Sequence, residues 1–190
     1  MKYSPSLSSL ENLFCKGSLE SIKDKPITYL VGLKFEKEQD IINLSKFIGL
    51  RELNFSNSLI SGDISAISGL TALTNINLGQ TNVSGDISAI SGLTELTNIN
   101  IGTTTVSGDI QSLGSCTALT FMELVNMPNM RGEVIDYVIA QRSHGRTSGN
   151  TRFGPSNTVK FNGKVLSGYN NFSWTESTIT NETTSETVNR

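Results

Sequence analysis

Asp63, Asp86 and Asp109 recur at intervals of 23 residues, each directly after a glycine, and Glu133 follows Gly132 in the same manner. Carboxylates in register suggest a cation site, but calcium wants six to eight oxygens converging on one point, and groups one repeat apart form a line. Two like charges about 5 Å apart cost only ~1 kcal/mol in water, so they coexist without a metal. Each aspartate is expected to cap its own turn beside Gly62, Gly85 or Gly108. The remaining reactive side chains are scattered. His144 is the sole histidine, and Cys15 and Cys116 share no metal-ligand or disulfide pattern. Cys116 takes the slot of Leu70 and Leu93 and reads as a small buried apolar residue. No G-x-S-x-G, phosphate loop, H-E-x-x-H or Cys/His cluster occurs. The expectation is a non-enzyme without metal or cofactor.

A second recurrence is richer. Glu52, Asn75, Asn98 and Phe121 form one column at the same period, and Asn54, Asn77, Asn100 and Glu123 form another, with Lys34 placed at the head of the second. An amide offers both donor and acceptor, which suits a peptide backbone or sugar hydroxyls. The competing reading is an amide ladder, in which stacked side chains bond to one another, or copying by duplication alone. Phe121 is the one aromatic on these columns.

The period identifies what holds them. Ser61–Thr71 and Ser84–Thr94 are the same string, SGDISAISGLT, and LTNIN recurs at Leu73–Asn77 and Leu96–Asn100. A fixed repeat of this size marks a solenoid, whose units bury their apolar faces only against one another. In each unit the apolar residues run L-x-x-L-x-L: Leu50, Leu53, Phe55; Leu73, Ile76, Leu78; Leu96, Ile99, Ile101; Leu119, Met122, Leu124. The last two of each triplet lie on one side of a strand, so the asparagine columns alternate with them and face outward. Leu30, Leu33 and Phe35 fit an earlier triplet, with Leu33 opposite Leu53 and the following loop shorter by three residues.

This pattern resembles the leucine-rich repeat over about residues 27–127. The I/V-S-G-D-I segments at Ile60, Val83 and Val106 are similar to the L-x-G-x-I-P stretch of plant-type repeats, with Ser65, Ser88 and Gln111 where that subtype has proline. Ser58, Thr81, Thr104 and Met127 stand where the family has its buried asparagine, and a hydroxyl there can still serve the backbone. The resemblance implies an α/β solenoid: a right-handed superhelix with one parallel sheet on its concave face. It further implies binding of a protein or glycan partner through that face, at Glu52, Asn54, Asn75, Asn77, Asn98, Asn100, Phe121 and Glu123. The overall cast is similar to short leucine-rich-repeat proteins of gut Bacteroidetes and their phages, which carry a helix, an R-T-[ST]-G loop (Arg146–Gly149 here) and N-G hairpins after the repeats. That likeness implies a cytoplasmic or virion-associated protein, and as an alternative role a structural subunit such as a virion or tail component, with self-association.

Flanking segments are assigned as caps: residues 1–26 with a helix near Ser8–Lys23, and residues 128–190 with a helix at Gly132–Gln141, a hairpin at Thr158–Leu166 and a polar tail. The helix is expected to bury Val134, Val138 and Ile139. The hairpin turns at Asn162-Gly163, the favoured two-residue turn. Trp174 is expected in the core of a small β unit. The last residues, TNETTSETVNR, hold Val188 as their one apolar side chain and read as a mobile tail or a strand ordered by a partner. Net charge is −2 over 190 residues, which gives no pull toward nucleic acid or membranes. Residues 47–127 have Arg51 as their one cation against six carboxylates. Arg142, His144, Arg146 and Arg152 read as a solvated basic loop, without the interleaved aromatics of a nucleic-acid site. No signal-peptide core and no stretch of ~20 apolar residues is present.

Overall fold

The computed structural model describes residues 29–31, 39–156 and 158–189. Short strands Tyr29–Val31, Glu52–Asn54, Asn75–Asn77, Asn98–Asn100 and Phe121–Glu123 stack in parallel, each bonded to the next. Leu53, Ile76, Ile99 and Met122 sit side by side in this register and are buried, as are the leucines and isoleucines that precede and follow them. A second, narrower set of strands runs along the far side of the coil, including Gln39–Asp40, Ile60–Asp63 and Asn82–Ser84. Each leads into one turn of 3-10 helix, at Ile41–Leu44, Ile64–Ile67 and Ile87–Ile90, with a longer one at Ile110–Ser115. The coil therefore buries one apolar interior shared by all its units, as the repeat requires.

The first unit departs from the sequence pattern. Leu30, not Leu33, lies opposite Leu53, and Asp40 caps Ile41–Leu44 as Asp63 caps Ile64–Ile67. Both offsets equal the common period, and Val31 stands opposite Asn54, in the place expected for Lys34. Leu30 and Leu33 are spaced like the first two positions of the motif, which lets the motif slide by three residues. Strand pairing and the aspartate cap break the tie. The helix expected near Ser8–Lys23 lies outside the described residues.

Hydroxyls take over the work of the missing asparagine. Ser58, Thr81 and Thr104 are buried and donate to the carbonyls of Phe55, Leu78 and Ile101 at 2.6, 2.6 and 2.7 Å. Thr74, Thr97 and Thr120 each donate to a carbonyl of the preceding coil, at Arg51, Thr74 and Thr97. A polar group left unpaired here would cost about 1–3 kcal/mol, so these bonds are part of what keeps the coils in register.

Past Met127 the period stops, yet both ladders continue. Met130–Glu133 pairs with Gly108–Asp109 and with Val159–Phe161, which turns at Asn162-Gly163 into Lys164–Val165. Both turn residues have positive φ, 50° and 79°, the signature of the expected turn. In the main sheet Gly149–Phe153 adds a sixth parallel strand, and Asn170–Trp174, Thr178–Asn181 and Glu186–Asn189 follow antiparallel to make nine. The polar tail is thus the outermost strand of the main sheet, held by main-chain pairing and by Glu186, which accepts from Asn162 and faces Lys164 at 3.5 Å. Trp174 is buried within this extension.

Helix Val134–Ser143 closes the open end over Ile110–Ser115. Val134, Ile135, Tyr137, Val138 and Gln141 face inward, whereas Ile139 is 44% exposed. The expected apolar side was turned too far, because Tyr137 and Gln141 belong to it. Gln141 donates to Leu113 and Cys116 carbonyls and accepts from Arg146, so its burial is fully compensated. Tyr137, Phe153, Phe172 and Phe161 form a chain of ring contacts beneath the helix and the added strands.

Candidate functional site

The structure brings all eight predicted site residues onto one face, in two straight columns. Glu52, Asn75, Asn98 and Phe121 are mutual partners across the strands, and so are Asn54, Asn77, Asn100 and Glu123. Neighbouring members are one strand spacing apart, about 4.8 Å. A hollow of about 280 Å³ is lined by members of both columns, and an adjoining one of about 330 Å³ shares Asn77 and Asn100 with it and runs on to Glu123 and Tyr169.

The two columns do different chemistry. In the first, Asn98 donates its amide to Oδ1 of Asn75 at 2.8 Å, and Thr97 donates to the same oxygen at 3.1 Å. That pair is an amide ladder. In the second, the oxygens turn back to the chain: Asn54 Oδ1 accepts from the Ser56 N–H and hydroxyl, Asn77 Oδ1 from the Gly79 N–H, and Asn100 Oδ1 from the Gly102 N–H. A main-chain N–H fixes which amide atom is oxygen, because only the oxygen accepts. The three NH₂ groups have no protein partner among the described residues. Gly79 allows this packing, since a β-carbon there would stand 2.8 Å from Asn100 Oδ1.

At the far end the face changes character. Glu123 is only 8% exposed; its Oε2 accepts from the Tyr169 hydroxyl at 2.6 Å, and its Oε1 has no partner among the described residues. Donating to Glu123 holds the Tyr169 hydroxyl above its ordinary pKa, because ionisation would give up the proton that makes this hydrogen bond. The Arg152 guanidinium lies over the Tyr169 ring at 4.6 Å and over Phe121 at 6.0 Å, both within cation–π range. Tyr169 is 47% exposed. It supplies the second aromatic that the columns lack, together with a cation.

Neither Arg152 nor Tyr169 is marked by the repeat, for both come from the aperiodic cap. The signal for Arg152 was the alternation Thr151–Arg152–Phe153, which is a strand pattern inside what reads as a basic loop. The other members of that loop are dispersed as well. Arg142 donates to the carbonyls of Thr175 and Thr178, and Arg146 donates to the Leu119 carbonyl and packs over Trp174 at 4.8 Å. They fasten the cap rather than gather into a basic patch.

The aspartates are caps. Asp40, Asp63, Asp86 and Asp109 accept the N–H two residues on, at the head of each 3-10 turn. The glycine of each SGD segment makes room: a β-carbon on Gly85, at φ 99°, would lie 2.5 Å from Asp63 Oδ1 of the preceding coil. Among the described residues no group of three or more His, Cys, Asp and Glu is placed to hold a metal. Cys116 is buried, and burial pushes its thiol up to about 11. His144 bonds the Ala140 carbonyl and Ser143 at the end of the helix.

Stacked coils, a concave parallel sheet and the 23-residue motif define a leucine-rich-repeat solenoid fold. No family model matches the sequence, and no curated protein does. Among solved structures, the leucine-rich-repeat ectodomain of the receptor kinase SOBIR1 from Arabidopsis thaliana matches 58% of this chain and 62% of its own at TM-score 0.52 and 21% identity. An internalin (inlF) of Listeria monocytogenes matches 62% of this chain and 32% of its own at TM-score 0.43 and 29% identity. Internalin C2 of the same species gives 57%, 62%, 0.40 and 22%. This chain thus spans less than two thirds of each. Solenoids of this kind generally serve as interaction modules that use their extended concave surface. Among the described residues no helix is long and apolar enough to cross a membrane.

Proposed function

We propose that the chain is a non-catalytic recognition module that binds its partner, protein or glycan, across the concave sheet. The observation that carries this is the column Asn54–Asn77–Asn100: three amides held by their own turns, their NH₂ groups without a partner among the described residues, in line, and ending at the Glu123–Tyr169–Arg152 cluster. Side chains locked by main-chain bonds lose little freedom when a ligand arrives, which favours binding. Incorporating a photo-crosslinking amino acid at Asn77 and, separately, at exposed Ser65 on the opposite side tests it in an extract of the source organism. A discrete adduct from position 77 and none from 65 is expected. Adducts from 65 alone would refute the concave placement.

A second reading, a structural subunit of a larger assembly such as a virion or tail component, is favoured by one feature. The outer edge of Glu186–Asn189 has no partner strand among the described residues, and such an edge is a template for pairing with another chain. Light scattering after size-exclusion chromatography checks it: a monomer at tens of micromolar removes self-pairing through this edge.

A further inference from the structure

We infer that Asn162 is a self-modification site: the Asn162-Gly163 turn deamidates with Glu133 as its base, and the carboxylate it gains loosens the outermost strand, Glu186–Asn189. Two glutamates from distant segments converge on this dipeptide. Glu133 accepts the Gly163 N–H at Oε1, 3.1 Å away. Glu186 accepts the Asn162 amide at its own Oε1, 2.8 Å away, and Lys164 reaches the same oxygen at 3.5 Å. These contacts fall on the two nitrogens that must change when an asparagine–glycine pair reacts, the main-chain one that attacks and the amide one that leaves. Glu133 also breaks a rule of the coil. Asp40, Asp63, Asp86 and Asp109 each cap the 3-10 turn that follows them, whereas Glu133, one methylene longer, makes no cap bond to its helix and reaches across to the hairpin instead. Its Oε2 is buried without a partner among the described residues, so the Gly163 N–H is the group this carboxylate serves.

The step needs only water as co-reactant. The Gly163 nitrogen gives its proton to Glu133 and bonds to Cγ of Asn162. The Cγ–Nδ2 bond breaks, and Nδ2 leaves as ammonia with a proton drawn from Lys164. Water then opens the cyclic imide at either carbonyl, leaving aspartate or isoaspartate at position 162, and Glu133 and Lys164 recover their charge states by exchange with solvent. Attack requires the main chain to move, and the turn has room for that. A β-carbon on Gly163 would meet nothing within 4 Å, and the strand beyond it, Lys164–Val165, is a short, exposed one at the edge of its sheet. Segments of that kind open most readily. The product changes the fastening of the tail. Where the Asn162 amide donated to Glu186, a carboxylate now faces a carboxylate, so a bond becomes a repulsion. Glu186 then keeps Lys164 as its tie to the hairpin, and the strand leans on its main-chain pairing with Thr178–Asn181.

Peptide-resolved mass spectrometry of the full chain held at neutral pH follows the reaction, with the same chain unfolded in urea as the reference. Position 162 is expected to deamidate about a hundredfold faster folded than unfolded, the lower end of what a positioned base supplies. Glu133→Gln, which keeps an acceptor but takes no proton, should remove that advantage. Hydrogen exchange then reads the strand. Amides of Glu186–Asn189 should exchange about tenfold faster after deamidation, the scale of one lost hydrogen bond, and equally fast in Asn162→Asp. In Glu186→Gln the site should still deamidate while exchange of the strand stays as it was, because an amide can donate to the new carboxylate. A folded chain that deamidates no faster than the unfolded one overturns the self-modification, as does Glu133→Gln reacting at the wild-type rate. Exchange left unchanged by deamidation and by Asn162→Asp overturns the loosening of the strand.

Discussion

The Tyr169 hydroxyl donates to Glu123 Oε2 at 2.6 Å across 46 residues of sequence, joining the aperiodic cap to the last regular strand. Oε1 of the same carboxylate has no partner among the described residues, so this bond is its main compensation for burial there. Tyr169→Phe removes it and is expected to destabilise the protein by about 1–3 kcal/mol, the penalty of an unsatisfied buried polar group. The effect has a pH signature. The Tyr169 pKa is raised in the fold, so its contribution is fully present below the ordinary tyrosine value of about 10 and is lost as pH rises through the folded value. Urea unfolding at neutral pH and above pH 10 should show the wild type converging on Tyr169→Phe in the alkaline series.

Asn77 serves its own turn before it serves a ligand. Its Oδ1 accepts from the Gly79 N–H at 3.3 Å, so Asn77→Ala should cost about 1 kcal/mol, the net worth of such a bond. In a chain of this size that lowers Tm by about 2–4 °C. Asn77→Asp, which retains the acceptor, should melt within a degree of wild type. Differential scanning calorimetry separates the two.

The regular coil was legible because each of its rules is local. The L-x-x-L-x-L spacing fixes which side of the strand is apolar, and the repeat carries Glu52 through Glu123 into register without any tertiary information. What the repeat could not reveal is whether an amide oxygen is spent inside the protein. Asn75 and Asn54 look alike in sequence, yet one accepts from the next coil and the other from its own turn. The cap was legible in pieces, the Asn162-Gly163 hairpin best of all. Its assembly was not, since Arg152 and Tyr169 reach the face through long-range pairing that no period records. Glu186–Asn189 has Val188 as its one apolar residue and reads as a mobile tail or a strand ordered by a partner, but an edge strand needs main-chain partners more than it needs burial.

Thr103 offers a stabilising change. It occupies the left-handed region at φ 58°, in the series Asn57, Gln80, Thr103 and Asn126 at the exit of each strand. Asparagine tolerates that conformation, whereas a β-branched side chain is strained there. Thr103 is exposed, and its backbone N–H bonds the Val125 carbonyl at 2.7 Å whatever the side chain. Thr103→Asn should therefore raise stability by about 1 kcal/mol, the order of the strain relieved. Chemical denaturation should show a higher midpoint at unchanged slope. An unchanged or lower midpoint would mean that this turn carries no strain.

Acid should loosen the coil through its caps. The Asp63 and Asp86 carboxyls lie below the ordinary aspartate range, chiefly because the N–H groups of Ser65 and Ser88 donate to them and favour the ionised form. A depressed folded pKa means that the stabilisation is present above the unfolded value, about 3.9, and is lost as pH falls through the folded one. The double substitution Asp63→Asn, Asp86→Asn keeps a competent cap, since asparagine ranks with aspartate there, but cannot titrate. It should match wild type at pH 7 and lose less stability between pH 4 and pH 2. Melting followed by circular dichroism across that range gives the comparison, and parallel acid limbs would show that the stability lost in acid resides in other carboxylates.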